Sequence, residues 1–275
     1  MRDKRKLTLK INLTVLASGK DILCLRSKMT LFLSTLGVAA RLSLAVGLFA
    51  LASCSRSGPV TVPFVGCAGD GQVGEVPAPR GEPQVVDLDP ALAKDLAFYK
   101  AAVNDAASLS VLAPRGWHCF YRYGSSGSIL RVAPVDDIDN TKGISVTRPG
   151  VVVSLSYGDT SGRFEVATYA ARLFAVTRRD FVERVIAEDI EPRDAFPYGP
   201  YPADILTYDG PNRVIFETPA GKEGIGSFGK IATAPIYGVV ELTTDDDPNM
   251  ATIQLSLPAD LQHLRPAILA KRTAK

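Results

Sequence analysis

An apolar run, residues 42–52, follows Arg41 and ends at Ser53-Cys54. A basic residue, roughly ten apolar residues and then small ones is the layout of a segment that directs export and is then removed. A removed segment takes no part in the fold, so residues 54–275 are what must build a core. The same layout puts that core outside the cytoplasm, where cysteines oxidise.

The four residues Leu51-Ala52-Ser53-Cys54 resemble the lipobox of bacterial lipoproteins, which ends on the cysteine that receives lipid. The resemblance implies that Cys54 is acylated and that the mature protein is a membrane-held lipoprotein of the cell envelope. Ser55, rather than Asp, follows the cysteine. That is similar to the pattern that permits transfer to the outer membrane in bacteria with two membranes, and it implies a site facing the periplasm. The 53 residues before Cys54 are long for a leader, and Met29 offers an internal start with a 25-residue leader. The alternatives are a long basic first region, or an uncleaved anchor over residues 31–53. That span is long enough to cross a bilayer but carries Arg41 mid-segment, where charge is costly.

Removing the leader inverts the charge. The whole chain has 31 Lys+Arg and 29 Asp+Glu, whereas residues 54–275 hold 22 and 27, a net of −5. An acidic mature protein lacks the basic footprint that nucleic acid requires. Of the four cysteines, Cys24 and Cys54 belong to the leader and its end, leaving Cys67 and Cys119. A disulfide is the expected state of an even pair in an oxidising space; two separate buried thiols are the alternative. Two cysteines with only His118 and His263 make no metal-ligand set. With no phosphate loop and no dinucleotide fingerprint either, no cofactor is expected.

The expected organisation is a lipid-anchored tether and irregular arm over residues 54–86, rich in Gly, Pro and Val, followed by one globular α+β domain over 87–275. Cys67 suggests that the second half of the arm is pinned back onto the domain. Within the domain, mixed three and four spacing of Leu92, Leu96, Phe98, Tyr99 and Val103 predicts a helix over 88–107. Strands are expected at 117–123 and 128–133 around Gly124-Ser125-Ser126-Gly127, and a half-buried strand at 151–157. Helices follow at 164–176, with Val166, Tyr169, Ala170, Leu173 and Phe174 on one face, and from about 180, with Phe181, Val182, Val185 and Ile186 buried, the second opened by a Thr177-Arg178-Arg179-Asp180 capping box. Strands at 204–208, 213–217, 237–243 and 251–257 alternate with turns, and Pro258 at a first helical position opens a closing helix to about 270. Short turns make the sheet mainly antiparallel, with helices packed on it.

The turn Pro114-Arg115-Gly116-Trp117 leading into strands, with helices around it, resembles the PsbP/Mog1-like α/β/α sandwich. Residues 62–67 (Val-Pro-Phe-Val-Gly-Cys), 112–117 (Leu-Ala-Pro-Arg-Gly-Trp) and 196–202 (Phe-Pro-Tyr-Gly-Pro-Tyr-Pro) are similar to a group of exported bacterial proteins without an assigned activity. That likeness implies a shared domain and brings no catalytic residue with it.

Gly158-Asp159-Thr160-Ser161-Gly162 joins a predicted strand to a predicted helix, the setting of a nucleophile elbow. Thr160 replaces the serine, however, and His263 is the only histidine downstream; helix capping by Asp159, Thr160 and Ser161 is the competing account. Asp136-Asp137-Ile138-Asp139-Asn140-Thr141 has calcium-loop oxygens, but Lys142 stands where glycine is needed and Arg148 where a bidentate Glu is needed. Asp245-Asp246-Asp247 reads as a charged turn. Trp117, Cys119, Tyr121 and Tyr123 fall on one side of a strand, as a core strand beside a disulfide or as an aromatic surface. Tyr198 and Tyr201 sit in a stiff segment, which either presents a recognition surface at low entropic cost or lids the core. Trp117, Tyr121, Tyr123, Tyr198 and Tyr201 are therefore the candidate binding surface. The expected role in the envelope is non-enzymatic, either binding an envelope partner or structural, with a hydrolase using Thr160 or an acidic pair not recognisable from spacing as the alternative.

Overall fold

The computed structural model describes residues 57–102, 108–135, 148–227 and 231–270; Cys54, the leader and the Asp136-to-Thr141 loop lie outside them. Two sheets and a helical layer are stacked. The larger sheet has the order β10-β11-β12-β13-β9-β8-β7-β3. Its members are β3 (Gly69–Gly71), β7 (His118–Gly124), β8 (Gly127–Ala133), β9 (Gly150–Ser156), β10 (Ile205–Tyr208), β11 (Arg213–Thr218), β12 (Ile236–Leu242) and β13 (Met250–Ser256). Every pairing in it is antiparallel except β3 with β7. The smaller sheet sets β5 (Leu96–Ala102) between β2 (Phe64–Gly66) and β6 (Ser108–Pro114). A two-stranded ribbon joins β1 (Gly58–Val62) to β4 (Gln84–Leu88). The class is α+β, dominated by mostly antiparallel sheets.

Topology dictates where the helices lie. The chain leaves β9 in mid-sheet and must reach the far edge at β10, from which β11, β12 and β13 return to β9. It makes that crossing through α1 (Arg163–Leu173) and α2 (Arg179–Ile186). The expected faces are buried: Val166, Tyr169, Ala170 and Leu173 of α1, with Phe181, Val182, Val185 and Ile186 of α2. They pack on Val152, Val214, Phe216, Val240 and Met250 of the sheet. Each large apolar side chain so buried contributes about 1.5–3 kcal/mol. The opposite face meets the smaller sheet through Tyr99, Leu112, Leu130, Val132, Val151 and Leu255, together with Leu264 and Ile268 near the C-terminus.

Several expectations are corrected. Over its described part, residues 88–102, the predicted helix is absent, and Val103 to Ala107 lie outside the described residues. Asp89 caps Ala91 N–H with its carboxylate and Pro90 follows, but they launch only a 3₁₀ turn, Pro90–Asp95, after which β5 begins. Pairing with β2 and β6 on both flanks outweighs a weak helical pattern. Buried Tyr99 donates its hydroxyl towards Pro114 O (2.8 Å) and Trp117 O (3.1 Å), and burial pushes its pKa up to about 12. β9 is buried on both faces rather than one, because helices cover one side and a sheet the other.

No capping box forms at Thr177. Its hydroxyl donates towards Phe174 O and Pro211 O, and α2 starts at Arg179 without a side-chain cap. Arg178 instead reaches Asn212 Oδ1 and the carbonyls of Thr243 and Asp245. The closing helix is split into a 3₁₀ turn, Ala259–Leu264, preceded by Pro258, and α3 (Arg265–Leu269). Pro266 lacks the N–H that a continuous helix would use there.

The described part of the arm is strand in part: β1, β2, β3 and the start of β4 fall within residues 57–86, while 72–83 carry no strand. β2 and β3 run parallel to β5 and β7, and Cys67 N–H bonds Lys100 O while Tyr121 N–H bonds Ala68 O. Cys67 and Cys119 form a disulfide, S–S 2.04 Å, across 52 residues of sequence. Among the described residues no helix is long and apolar enough to cross a membrane.

Candidate functional site

Two β-turns meet beside the N-terminus of α1. The β7–β8 hairpin closes on Ser125-Ser126 with Gly124 paired to Gly127, as its turn residues require. Its tip touches the turn leaving β9: Tyr157 N–H donates to Ser126 O at 3.0 Å. The contact is tight, because a Cβ on Gly162 would lie 2.2 Å from that same oxygen. On the other side of the turn, Gly158 N–H donates to Asn249 Oδ1 (3.1 Å), and a Cβ there would lie 2.2 Å from Pro248 O. Both glycines of the Gly-Asp-Thr-Ser-Gly segment are thus required by backbone approach. Thr160 serves the turn between them, donating to Tyr157 O (3.0 Å) and accepting from Gly162 N–H (3.2 Å). No histidine is among these partners; His263 lies on the 3₁₀ turn before α3, with Nε2 at 3.7 Å from Asp95.

Beside this junction an open cleft of about 360 Å³ crosses the sheet next to α1. Asp70 and Gly71 of β3, Arg122 and Tyr123 of β7, Ile129 of β8, Ser154 and Ser156 of β9 and Glu165 of α1 line it, with the hairpin tip. The serines were legible only as the alternate face of an apolar strand. They turn towards the helices and are 7% and 3% exposed. Ser156 Oγ donates to Glu165 Oε2 at 2.7 Å, and the Ser154 and Thr252 hydroxyls share a hydrogen bond of 2.6 Å. Asp70 accepts from Gly71 N–H at 2.7 Å, and Tyr123 OH donates to Gly74 O at 2.7 Å. One guanidinium, two carboxylates and several hydroxyls suit hydrogen bonding to a polar partner. Among the described residues no three His, Cys, Asp or Glu side chains gather as a metal set, and Asp245-Asp246-Asp247 forms part of the turn that Arg178 and Arg184 hold.

The five aromatic candidates do not form one surface. Tyr121 and Tyr123 share a side of β7 and stack at 5.7 Å, and Trp117, just before the strand, packs against the same core. Tyr121 is nevertheless wholly buried and belongs to the core beneath the smaller sheet, where burial raises its pKa against a hydrogen bond with Ser128. Tyr198 and Tyr201 pack against the other core, beside α1 and α2. Arg172 stacks on Tyr201 (4.1 Å) and Arg179 on Tyr198 (4.8 Å), while Tyr198 OH donates to Glu183 Oε1 (2.9 Å). Gly199 N–H bonds Ala171 O, and Phe196 is 2% exposed, so the segment lids the helical layer. Burial, and then Glu183, push the Tyr198 phenol up; Arg193, then Tyr198, hold Glu183 below its usual value. The sequence carried no signal for the cleft, because its residues come from four separate stretches brought together by strand register. Comparison with protein-family models, curated proteins and solved structures finds no match to this chain.

Proposed function

We propose that this protein is a lipid-anchored cell-envelope protein, acylated at Cys54 and facing the periplasm from the outer membrane, that binds a polar partner rather than catalysing a reaction. The leader ending on Cys54 carries this reading. The Cys67–Cys119 disulfide supports it, since such bonds persist in oxidising compartments. Binding is favoured over hydrolysis because the Thr160 hydroxyl is spent on its own turn, while the cleft over β7, β8 and β9 offers unlike charges at an open surface. As to architecture, α1 and α2 on one face and α3 among the elements on the other support a PsbP/Mog1-like layer order, with the smaller sheet as an addition.

The test is metabolic labelling with a clickable fatty-acid analogue. Label should enter the wild-type chain and be lost in Cys54→Ser; an unlabelled wild type, or one that keeps its apolar leader, removes the reading. Cross-linking in intact envelopes should then capture a partner whose yield drops in Arg122→Glu. A yield unaffected by that change takes the cleft out of the proposal.

A further inference from the structure

Only Ser55, Arg56 and Ser57 separate Cys54 from Gly58, where β1 begins. Four residue steps reach at most about 14 Å. A free tether of the whole stretch 54–86 would average about 30 Å as coil, but β1 already begins at Gly58. β1 starts at the end of the ribbon where Gly58 pairs Leu88 and Pro59 pairs Asp87, next to the Pro90–Asp95 turn. From there β1, β2 and β3 carry the chain to Gly71. β2 follows β5 away from that turn, and β3 follows β7 towards the hairpin tip, parallel in both cases. Asp70 and Gly71, at the end of this path, line the cleft with Gly124 and Ser126. The thirteen steps from Gly58 to Gly71 reach at most about 40 Å, and the arm, which begins beside the anchor, finishes in the cleft.

We infer that the domain rests directly on the bilayer that holds Cys54, with the Gly58–Leu88 end of the ribbon and the Pro90–Asp95 turn against the lipid surface, and the Asp70–Arg122 cleft turned to the aqueous side. This rests on acylation of Cys54. A short covalent leash fixes which end faces the membrane without any specific lipid contact. It leaves the cleft open to a partner arriving from the periplasm or from the opposite membrane.

The full chain is expressed in a two-membrane bacterial host, and the mass of Cys54 is read first. Nitroxide labels are then placed at exposed positions on each end, through Asp87→Cys or Ala91→Cys and through Ser126→Cys or Ser125→Cys. The protein is reconstituted in zwitterionic vesicles containing a nickel-chelating lipid. Relaxation by the headgroup nickel should be several-fold stronger at 87 and 91 than at 125 and 126. A flexible insert of about 20 Gly/Ser residues after Ser57 should abolish the difference. Equal or reversed relaxation in acylated protein overturns the orientation while leaving the anchor standing. An unacylated Cys54 overturns both.

Discussion

Gly162 lies so close to Ser126 that a methyl group on its Cα would sit 2.2 Å from the Ser126 carbonyl oxygen. Through this contact the β7–β8 hairpin is seated on the turn between β9 and α1, and one wall of the cleft is held in place. The oxygen belongs to backbone, and Tyr157 N–H already bonds it, so it has little room to move.

Gly162→Ala should therefore destabilise the protein by about 1–3 kcal/mol, the usual cost of overpacking, read as a lower urea midpoint. Gly116→Ala, at φ +82° with open space around it, carries only the left-handed backbone penalty of about 1–2 kcal/mol. A Gly162→Ala protein as stable as wild type would mean that the two turns are not in contact.

The disulfide between Cys67 and Cys119 closes a separation of 52 residues. In the chain-entropy account such a loop stabilises by roughly 4 kcal/mol. Reductant should lower the denaturation midpoint of wild type by that order and leave the Cys67→Ser/Cys119→Ser double variant unmoved. Reduction should also expose the arm around Ala78 to protease first, because β2 and β3 then hold by short parallel pairings and a few hydrogen bonds around Gly69 to Gly74.

Burial raises the Asp204 carboxyl above its ordinary value of 3.8, against hydrogen bonds from Thr218 Oγ1 and Ile225 N–H and the charge of Arg172. The folded state then holds this proton more tightly than the unfolded chain does. Its contribution is most favourable below 3.8 and is lost as pH rises through the raised folded value. Asp204→Asn should flatten that decline, so the stability of wild type relative to the variant falls as pH is raised through the acidic range. Glu188, held low by Arg163, runs the opposite way, contributing above the ordinary carboxylate range and fading as pH falls. A wild-type-to-variant difference that does not change with pH would show that Asp204 ionises as freely folded as unfolded.

Ser154 and Thr252 satisfy each other across β9 and β13 in a buried position. Either single change, Ser154→Ala or Thr252→Val, orphans a hydroxyl and should cost about 1–3 kcal/mol. The double change removes donor and acceptor together, so its cost should fall short of the sum by about 0.5–1.5 kcal/mol. Strict additivity in urea denaturation would mean that the two hydroxyls do not depend on one another.

The hairpins at Gly124 to Gly127 and at Asp209 to Asn212 were legible because a tight turn is decided by the residues inside it. The buried stripes of α1 and α2 were legible because a helix repeats its face within a few residues. The stretch from Leu88 onward was not, since Leu96 and Tyr99 carry spacing compatible with either period, and only the neighbours β2 and β6 choose between them. Ser154 and Ser156 fall on the alternate face of a strand expected to be half-buried, and nothing local announces that helices will cover them. Asp70, Arg122 and Glu165 are separated by tens of residues, and no spacing rule connects them.

Taken alone, the chain's residues pointed to an α+β class, most of its turns and the faces of two helices, and made a Cys67–Cys119 disulfide the expected state. Each is set by short-range chemistry or by a count of two. Tertiary structure decided that β1, β2 and β3 form in the arm, that β9 is buried on both sides, and that Thr160 is spent on a turn beside a cleft it does not line. Those outcomes depend on which strands become neighbours, and non-local pairing acts through backbone hydrogen bonds that every sequence carries alike.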